Sequence, residues 1–271
     1  MSEVVTWFDD TACLDLSVAG GKGASLAAMA TAGLNVPPGF MIRADVMASR
    51  LDNDALRARA RELDSLGAQE IVAACEPPRD EITGAYERLG GSVAVRSSAC
   101  AEDSEEASFA GQQETFLEVE GAADVCRRVV DCWVSFFSER ALFYRSQKGS
   151  LDDLGMAVVV QTMIEAEKSG VLFTVDPVAQ RRDRLLVEAV FGLGEQVVSG
   201  EVTPDHYIVD RQGEVKTERL VHGGVLTPEE LRSLVAAGTS LEERFGRPQD
   251  IEWAIVGDSL FLLQSRPVTT L

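Results

Sequence analysis

The C-terminal stretch constrains the fold most, because it predicts a β-hairpin with polar side chains at matched positions. Two β-rich runs flank the turn-forming residues 257–259, a composition typical of hairpins. A three-residue loop there would pair Val256 with Leu260 and place Glu252 opposite Gln264. Side chains that face each other on one side of a hairpin lie roughly 4.5–5.5 Å apart at Cβ. We therefore expect a carboxylate and an amide oxygen on the same face.

The same face of the hairpin is predicted to carry a cation. Arg266 lies two residues beyond Gln264 and therefore projects to the same side. Two oxygen ligands beside a guanidinium suit Mg²⁺ and the phosphates it carries, because Mg²⁺ takes few protein oxygens and completes its shell with phosphate and water. The alternative is a surface hairpin with ordinary polar alternation, and spacing alone does not exclude it.

The composition is that of a globular protein with a strongly negative net charge. Hydrophobic residues make up 45% and charged residues 25% of the 271 residues, which could form one large domain or two lobes. No apolar run approaches the about 20 residues of a membrane span. The net charge of −19 argues against binding nucleic acid or an anionic membrane non-specifically, since both repel a negative surface.

Cysteine usage and the N-terminus favour a cytoplasmic protein. The five cysteines are an odd number and form no CxxC motif, which argues against a zinc site and a disulfide framework. The first residues are acidic and lack the charged and apolar regions of a signal peptide. We therefore expect a protein of the reducing cytoplasm.

Hydrophobic periodicity predicts a mixture of helices and strands. Helices are expected over about 24–31, 54–89 with a break at 77–78, 124–147 and 228–245. Strands are expected from Val93 and over 156–163, 170–175 and 184–190, followed by the hairpin. Strands cluster after residue 155, so we predict an α+β protein with a first lobe over about 1–155 and a second over about 156–271.

Lys22 follows two glycines at the start of a predicted helix, where free N–H groups and the helix dipole favour anions. The segment is not a P-loop, which needs Ser or Thr after the lysine, where this chain has Gly23. By itself, an exposed lysine in a glycine-rich turn is the simpler interpretation.

Two further polar residues lie at apolar runs. Arg96 follows the apolar residues of a predicted strand, so it needs an anionic partner. That partner could equally be a nearby acidic side chain in a structural ion pair. Gln161 ends another apolar run and could present its edge to a purine, although an edge-strand glutamine explains it as well. His222 precedes two glycines and is interpreted as a loop residue.

Five segments in the same order together resemble the nucleotide-binding domain of the pyruvate phosphate dikinase and phosphoenolpyruvate synthase family, which includes the rifampin phosphotransferases. The segments are GGKGASLAAMATAGLNVPPGF, VAVRSSACAEDSEEASFAGQQETFLEV, VVVQTMIEAEKSGVLFTVDPV, LVEAVFGLGEQVVSGEVTPDHY and PQDIEWAIVGDSLFLLQSRPV. They cover most of the chain. The resemblance implies a single nucleotide-binding domain over 1–271 with the ATP-grasp fold, in which two lobes clasp ATP.

The resemblance also implies a role for each matching position. ATP phosphates would meet Lys22 and Arg96, which with Arg266 would be the catalytic residues, and Arg266 would also face phosphate. Gly111 and Gln112 would belong to the loop that closes over the phosphates, and Gln161, Thr162 and Ile164 would contact adenine. Glu195 would have a role in the cleft. Glu252 and Gln264 would bind Mg²⁺.

The activity implied is that of the Mg-ATP-binding component of a dikinase-type phosphotransferase. In the family, the β-phosphoryl group of ATP passes to a histidine of a mobile domain, AMP is formed, and the histidine serves a second, small-molecule substrate. The Gly-Gly-x-x-x-His-Ala type segment of that domain does not occur in these 271 residues. We therefore expect the histidine on a separate protein or on an absent domain.

Several departures from the family pattern keep other activities open. The chain is shortened between Pro38 and Val93 and between Leu226 and Glu242, and Cys100 stands where the family usually has Thr. A kinase that phosphorylates a small molecule directly is one alternative. The other is a non-catalytic nucleotide-binding subunit. Such a subunit could have lost the metal pair, so the retention of Glu252 and Gln264 favours an enzyme.

Overall fold

The strands of the chain assemble into two antiparallel sheets, one packed against several helices and the other against the helix Pro228–Phe245. The computed structural model describes residues 4–100, 114–194 and 202–268. Within these residues the strands form one five-stranded and one six-stranded sheet, which confirms the predicted α+β class. No helix in the described part of the chain is both long and apolar enough to cross a membrane.

The chain divides into two compact units, one for each sheet. The first unit contains Met1–Thr31 and Pro38–Met163, and the second contains Ala32–Pro37 and Ile164–Leu271. The division therefore falls after Met163, whereas the sequence suggested a boundary at about residue 155. The strand Met156–Thr162 belongs to the first unit because it pairs with strands of that unit on both of its edges.

The first unit has strands in the order β1-β2-β5-β3-β4. These are β1 Val5–Trp7, β2 Gly39–Ile42, β3 Val93–Ala99, β4 Thr115–Val119 and β5 Met156–Thr162. The helices of this unit are α1 Leu16–Thr31, α2 Asp45–Ala48, α3 Asn53–Arg61, α4 Ser65–Ala73, α5 Arg79–Leu89, α6 Ala122–Ser135 and α7 Glu139–Lys148, with a short 3-10 helix at Thr11–Leu14.

The two faces of the first sheet differ. Val93, Val95, Val158 and Val160 point into the main hydrophobic core, which they share with side chains of α3 to α6. Residues that pair directly across antiparallel strands share a face. The alternate residues of β3 and β5 therefore form the opposite face, and α1 packs against these two strands.

Local capping explains why two long predicted helices are shorter in the structure. The predicted helix over 124–147 is interrupted, because Ser138 has an extended backbone and its hydroxyl accepts a hydrogen bond from the Ala141 N–H. The predicted helical stretch over 54–89 is three helices, two of which begin at Asp52 and Asp64 caps. Aspartate at these positions satisfies backbone N–H groups that the helices leave unpaired.

The second unit has strands in the order β11-β10-β6-β7-β8-β9. They are β6 Lys168–Phe173, β7 Arg184–Phe191, β8 Asp205–Asp210, β9 Val215–Arg219, β10 Gln249–Val256 and β11 Ser259–Pro267. The helix α8, Pro228–Phe245, begins with a capping box between Thr227 and Glu230. It crosses β6 closely, since a Cβ at Gly238 would lie 2.7 Å from the Leu172 side chain. The helix therefore covers the face of the sheet that carries Leu172.

A buried carboxylate organises the connection that follows β9. Asp205 is fully buried and accepts hydrogen bonds from the backbone N–H groups of Val221, His222, Gly224 and Val225 at 2.6–3.0 Å. Burial raises the pKa of this carboxyl group, but the four backbone donors outweigh burial and lower it below its usual value. These contacts hold residues 221–225 against β8, a strand that periodicity did not predict.

Candidate functional site

Glu252 on β10 pairs directly with Gln264 on β11, as the sequence predicted. The predicted three-residue turn is wrong, however, because Val256 pairs with Ser259 and leaves a two-residue turn. Gly257 has φ of 54° in that turn, and glycine at the first central position is typical of tight hairpins. The shorter turn is offset by a β-bulge in which Leu263 is passed over between two successive pairs.

The amide oxygen of Gln264 is suited to bind an ion or a small molecule, because it is buried without a partner from the described part of the protein. Gln264 is only 5% exposed, and within the described residues its Oε1 has no hydrogen-bond partner. A buried acceptor without a partner is unfavourable. Together with the Glu252 carboxylate it offers two hard oxygen atoms, the ligand type that Mg²⁺ prefers. No group of three or more His, Cys, Asp or Glu side chains that could hold a metal occurs in the part of the chain described.

Arg266 is fixed by an ion pair that the sequence analysis missed. Its Nε donates to Asp250 Oδ2 at 2.8 Å, and the two residues are directly paired across β10 and β11. Burial raises the pKa of Asp250, Arg266 opposes this, and the charges of Glu252 and Glu188 add to it. Asp250 stands two residues before Glu252, so strand alternation could have placed it on the same face.

A third carboxylate, in addition to Glu252 and Asp250, lies on the same face of the six-stranded sheet. Glu188 and Glu252 each pair directly with Val171, from opposite sides of β6. Glu188 in turn pairs with His206, whose Nδ1 lies 3.4 Å from Glu188 Oε1. Only the register of four strands brings these residues into one row, and no local sequence signal could have predicted it.

Lys22 lies just after a kink in α1. Gly20 interrupts the helix with φ of 66° and ψ of 178°, a conformation that is essentially restricted to glycine. Lys22 is only 7% exposed, so the sequence-based interpretation of an exposed lysine in a turn is wrong. A lysine so buried is not a surface charge placed there for solubility.

Arg96 and Gln161 share one face of the first sheet. Arg96 pairs with Val159, and Gln161 pairs with Ala94, so the neighbouring strands β3 and β5 present both residues on the α1 side. Gln161 is 3% exposed, and its Nε2 has no hydrogen-bond partner within the described residues. The first unit therefore brings together the helix of Lys22 and the strands of Arg96 and Gln161.

The predicted adenine segment contains the boundary between the two units. Thr162 ends β5 in the first unit, and Ile164 begins the second. The Thr162 N–H donates to the Pro38 carbonyl at 2.9 Å. A backbone contact from Thr162 to a base would therefore come from its carbonyl oxygen. Gly111, Gln112 and Glu195 lie outside the described residues.

His222 is held as a loop residue. Its backbone N–H donates to Asp205, and its Nε2 lies 2.9 Å from the Thr203 carbonyl oxygen. The adjacent Gly223 and Gly224 have φ of 82° and 98°, which is consistent with a tight connection between elements. These local contacts are sufficient to account for the position of His222 in its loop.

The sequence matches the family model for the pyruvate phosphate dikinase AMP/ATP-binding domain over residues 16–223 and 212–271. The chain is 38% identical to a probable phosphoenolpyruvate synthase of Methanocaldococcus jannaschii, over 98% of this chain and 27% of that protein. It is 41% identical to a rifampicin phosphotransferase of Streptomyces sviceus, over 94% of this chain and 35% of that protein. The chain thus spans less than half the length of these curated relatives.

A solved structure gives a weaker comparison. The chain resembles D-alanyl-alanine synthetase A from Vibrio cholerae with a TM-score of 0.42 and 11% identity, over 93% of this chain and 55% of that chain. A TM-score this low is not evidence of a shared fold, and the family of the chain is shown by the sequence match. The α+β architecture with two antiparallel sheets agrees with the ATP-grasp fold that the resemblance implies. Because the match covers almost the entire chain, the protein belongs to the pyruvate phosphate dikinase AMP/ATP-binding domain family.

Proposed function

We propose that the chain is the Mg-ATP-binding component of a dikinase-type phosphotransferase. It passes the β-phosphoryl group of ATP to a histidine nitrogen outside these 271 residues, on a separate protein or on another domain. The bond between the α- and β-phosphates breaks and AMP leaves. The bond between the β- and γ-phosphates also breaks, as the γ-phosphoryl group passes to water, giving phosphate, or to inorganic phosphate, giving pyrophosphate. The histidine then delivers its phosphoryl group to a small molecule.

The proposed roles follow the chemistry of each side chain. Lys22, Arg96 and Arg266 bind ATP phosphates, and their positive charges stabilise the charge that develops during transfer. The Asp250 carboxylate holds Arg266 in place through their ion pair. Gln161, Thr162 and Ile164 contact the base, and Gly111, Gln112 and Glu195 complete the nucleotide site.

Glu252 and Gln264 are the proposed Mg²⁺ ligands. When bound, Mg²⁺ would neutralise part of the charge on the ATP phosphates. The buried Gln264 Oε1, which has no hydrogen-bond partner within the described residues, is the single observation that most supports the proposal. Gln264 stands directly opposite the Glu252 carboxylate. In a hairpin with only a structural role, a buried acceptor without a hydrogen-bond partner would cost stability.

The reaction products test the proposal. The protein is incubated with Mg²⁺ and ATP labelled at the β-position, with and without the purified phosphohistidine domain of a phosphoenolpyruvate synthase. We expect AMP and an acid-labile label on the partner histidine, and little turnover of the protein alone. A partner whose acceptor histidine is replaced by alanine is the control and should remain unlabelled.

Other products would contradict the proposal in distinct ways. Steady ADP formation with a small molecule such as rifampicin or pyruvate, and without a partner, would support a direct kinase. ATP binding without any transfer, to the partner or to a small molecule, would support a non-catalytic nucleotide-binding subunit.

A further inference from the structure

The hydroxyl group of Ser98 stands inside the broken hydrogen-bond ladder of α1. In a continuous helix the Gly23 N–H would donate to the Ala19 carbonyl, four residues earlier. Here the Gly23 N–H donates to Ser98 Oγ at 3.1 Å, and Ser98 Oγ donates to the Ala19 carbonyl at 2.8 Å. The Ser98 hydroxyl therefore bridges the Gly23 N–H and the Ala19 carbonyl, the two groups that would bond directly in a continuous helix. Side-chain insertion of this kind is a recognised cause of helix kinks.

The kink and Ser98 depend on each other. Ser98 is fully buried, and a Cβ added at Gly20 would lie 2.1 Å from the Ser98 carbonyl oxygen. Only glycine at position 20 thus allows the strand backbone to approach so closely. Lys22 lies between Gly20 and Gly23, the two residues that this contact fixes. Ser98 therefore contacts the helix backbone on both sides of Lys22.

The strand β3 connects this contact to a second predicted phosphate-binding residue. Ser98 lies two residues after Arg96, so the two side chains leave the strand on the same face. Their direct partners on β5, Ala157 and Val159, confirm the alternation. A short, rigid piece of strand therefore holds Arg96 and the kink that carries Lys22 in fixed register.

We propose that Ser98 is a positioning residue for phosphate binding, acting through Lys22. The inference rests on the proposed function, because it requires that Lys22 meets the phosphates of ATP. Ser98 itself touches the backbone of α1 and not the nucleotide. Its loss should therefore weaken recognition of the phosphates and leave recognition of the base unchanged.

The test compares ATP with adenosine, which lacks phosphates, by calorimetry in the presence of Mg²⁺. Ser98→Ala should lower the affinity for ATP roughly tenfold, about 1.4 kcal/mol, and leave the affinity for adenosine unchanged. In a Lys22→Met background, Ser98→Ala should have no further effect on ATP affinity. Such a double-mutant cycle reports whether two residues act together.

Ser97→Ala is the matched control. Ser97 is the neighbouring residue, is equally buried, and its hydroxyl donates to the Glu114 carbonyl at 3.3 Å, away from α1. It should leave both affinities unchanged. Circular dichroism checks that each variant folds. If Ser98→Ala does not fold, Ser98→Cys is the second variant. It keeps the shape of the side chain, with a slightly larger atom and a weaker hydrogen-bonding group, and its ATP affinity should again fall while that for adenosine stays constant.

The possible failures are distinguishable. If Lys22→Met weakens ATP binding but Ser98→Ala behaves like Ser97→Ala, the inference about Ser98 is wrong and the proposed function stands. Equal losses for ATP and adenosine, or a full Ser98→Ala effect in the Lys22→Met background, would also overturn it. An unchanged ATP affinity in Lys22→Met would overturn the role of Lys22 and, with it, the inference about Ser98. The proposed function is tested separately, by AMP formation with the partner domain.

Discussion

Glu252 and Gln264 are directly paired across the last two strands, although the turn between those strands is one residue shorter than the sequence suggests. The bulge at Leu263 restores the pairing. A slip of one residue would move a side chain to the other face of the sheet. The bulge therefore keeps the carboxylate and the amide oxygen together, and bulges often redirect side chains in this way near functional sites.

Replacing Glu252 by alanine should abolish the dependence of ATP binding on Mg²⁺. The wild-type protein should bind ATP at least about tenfold more tightly with Mg²⁺ than without it, a difference of about 1.4 kcal/mol. The variant loses the charged ligand opposite Gln264, so calorimetry should give equal affinities in both conditions. Glu218→Ala, on the exposed strand β9 of the same sheet, should retain the difference. Equal wild-type affinities with and without Mg²⁺ would exclude a metal role.

Asp250→Asn should change how stability depends on pH. Because the folded-state pKa of Asp250 is raised, its contribution to stability is present below the ordinary aspartate pKa of about 3.9 and is lost as the pH rises through the folded value. The stability of the wild-type protein relative to Asp250→Asn should therefore fall as the pH rises above about 4. Urea unfolding without metal or nucleotide measures this difference.

Asp183 provides a control of opposite sign for the pH experiment. A hydrogen bond from Arg181 lowers the pKa of this exposed carboxyl group to about 2. Its contribution is therefore present above the ordinary aspartate pKa and disappears as the pH falls towards the folded value. A wild-type protein whose stability relative to Asp250→Asn rises with pH would contradict the raised pKa.

Gly20→Ala should destabilise the first unit far more than alanine at another glycine with positive φ. The new Cβ would meet the Ser98 carbonyl at 2.1 Å, in addition to the strained backbone, so we expect a loss of more than about 3 kcal/mol. Gly149 also has positive φ, but a Cβ there would have no atom within 4 Å among the described residues. Gly149→Ala should therefore lose only about 1–2 kcal/mol. If thermal unfolding gave equal losses of stability for Gly20→Ala and Gly149→Ala, the kink would be able to relax and accept a Cβ.

His222→Ala should leave ATP binding and partner-dependent AMP formation nearly unchanged. The imidazole contacts the Thr203 carbonyl, so its removal should cost only about 1 kcal/mol of stability. A fall in AMP formation of more than about tenfold, or about 1.4 kcal/mol of barrier, with ATP affinity intact would show that this histidine takes part in transfer. Acid-labile labelling of the protein alone would lead to the same conclusion.

Elements with strong periodicity and clear ends were predicted well. The buried strand at Met156–Thr162 and the helix Pro228–Phe245 agree with the sequence to within a residue. Sequence patterns failed where the signal was weak or where a local cap interrupted an apparently continuous helix. The exposed strand β9 has no apolar face to recognise, and the N-cap at Ser138 divides a helical pattern that looked continuous.

The predicted site residues differ in what the structure adds to them. The Glu252–Gln264 pairing was confirmed, but through a turn and a bulge that the sequence did not predict. Arg96 and Gln161 were chosen as single residues, and only strand pairing places them on one face. Their roles in binding nucleotide remain predictions.

The sequence by itself determined the family, the α+β class and the types of side chain that could bind Mg-ATP, because these are properties of local pattern and composition. Only the tertiary structure decided that Asp250 holds Arg266, that Glu188 shares a row with Glu252, and that Ser98 replaces a helical hydrogen bond. Each of these contacts joins separate elements or depends on strand register. Their geometry is fixed by packing, and no residue carries that information alone.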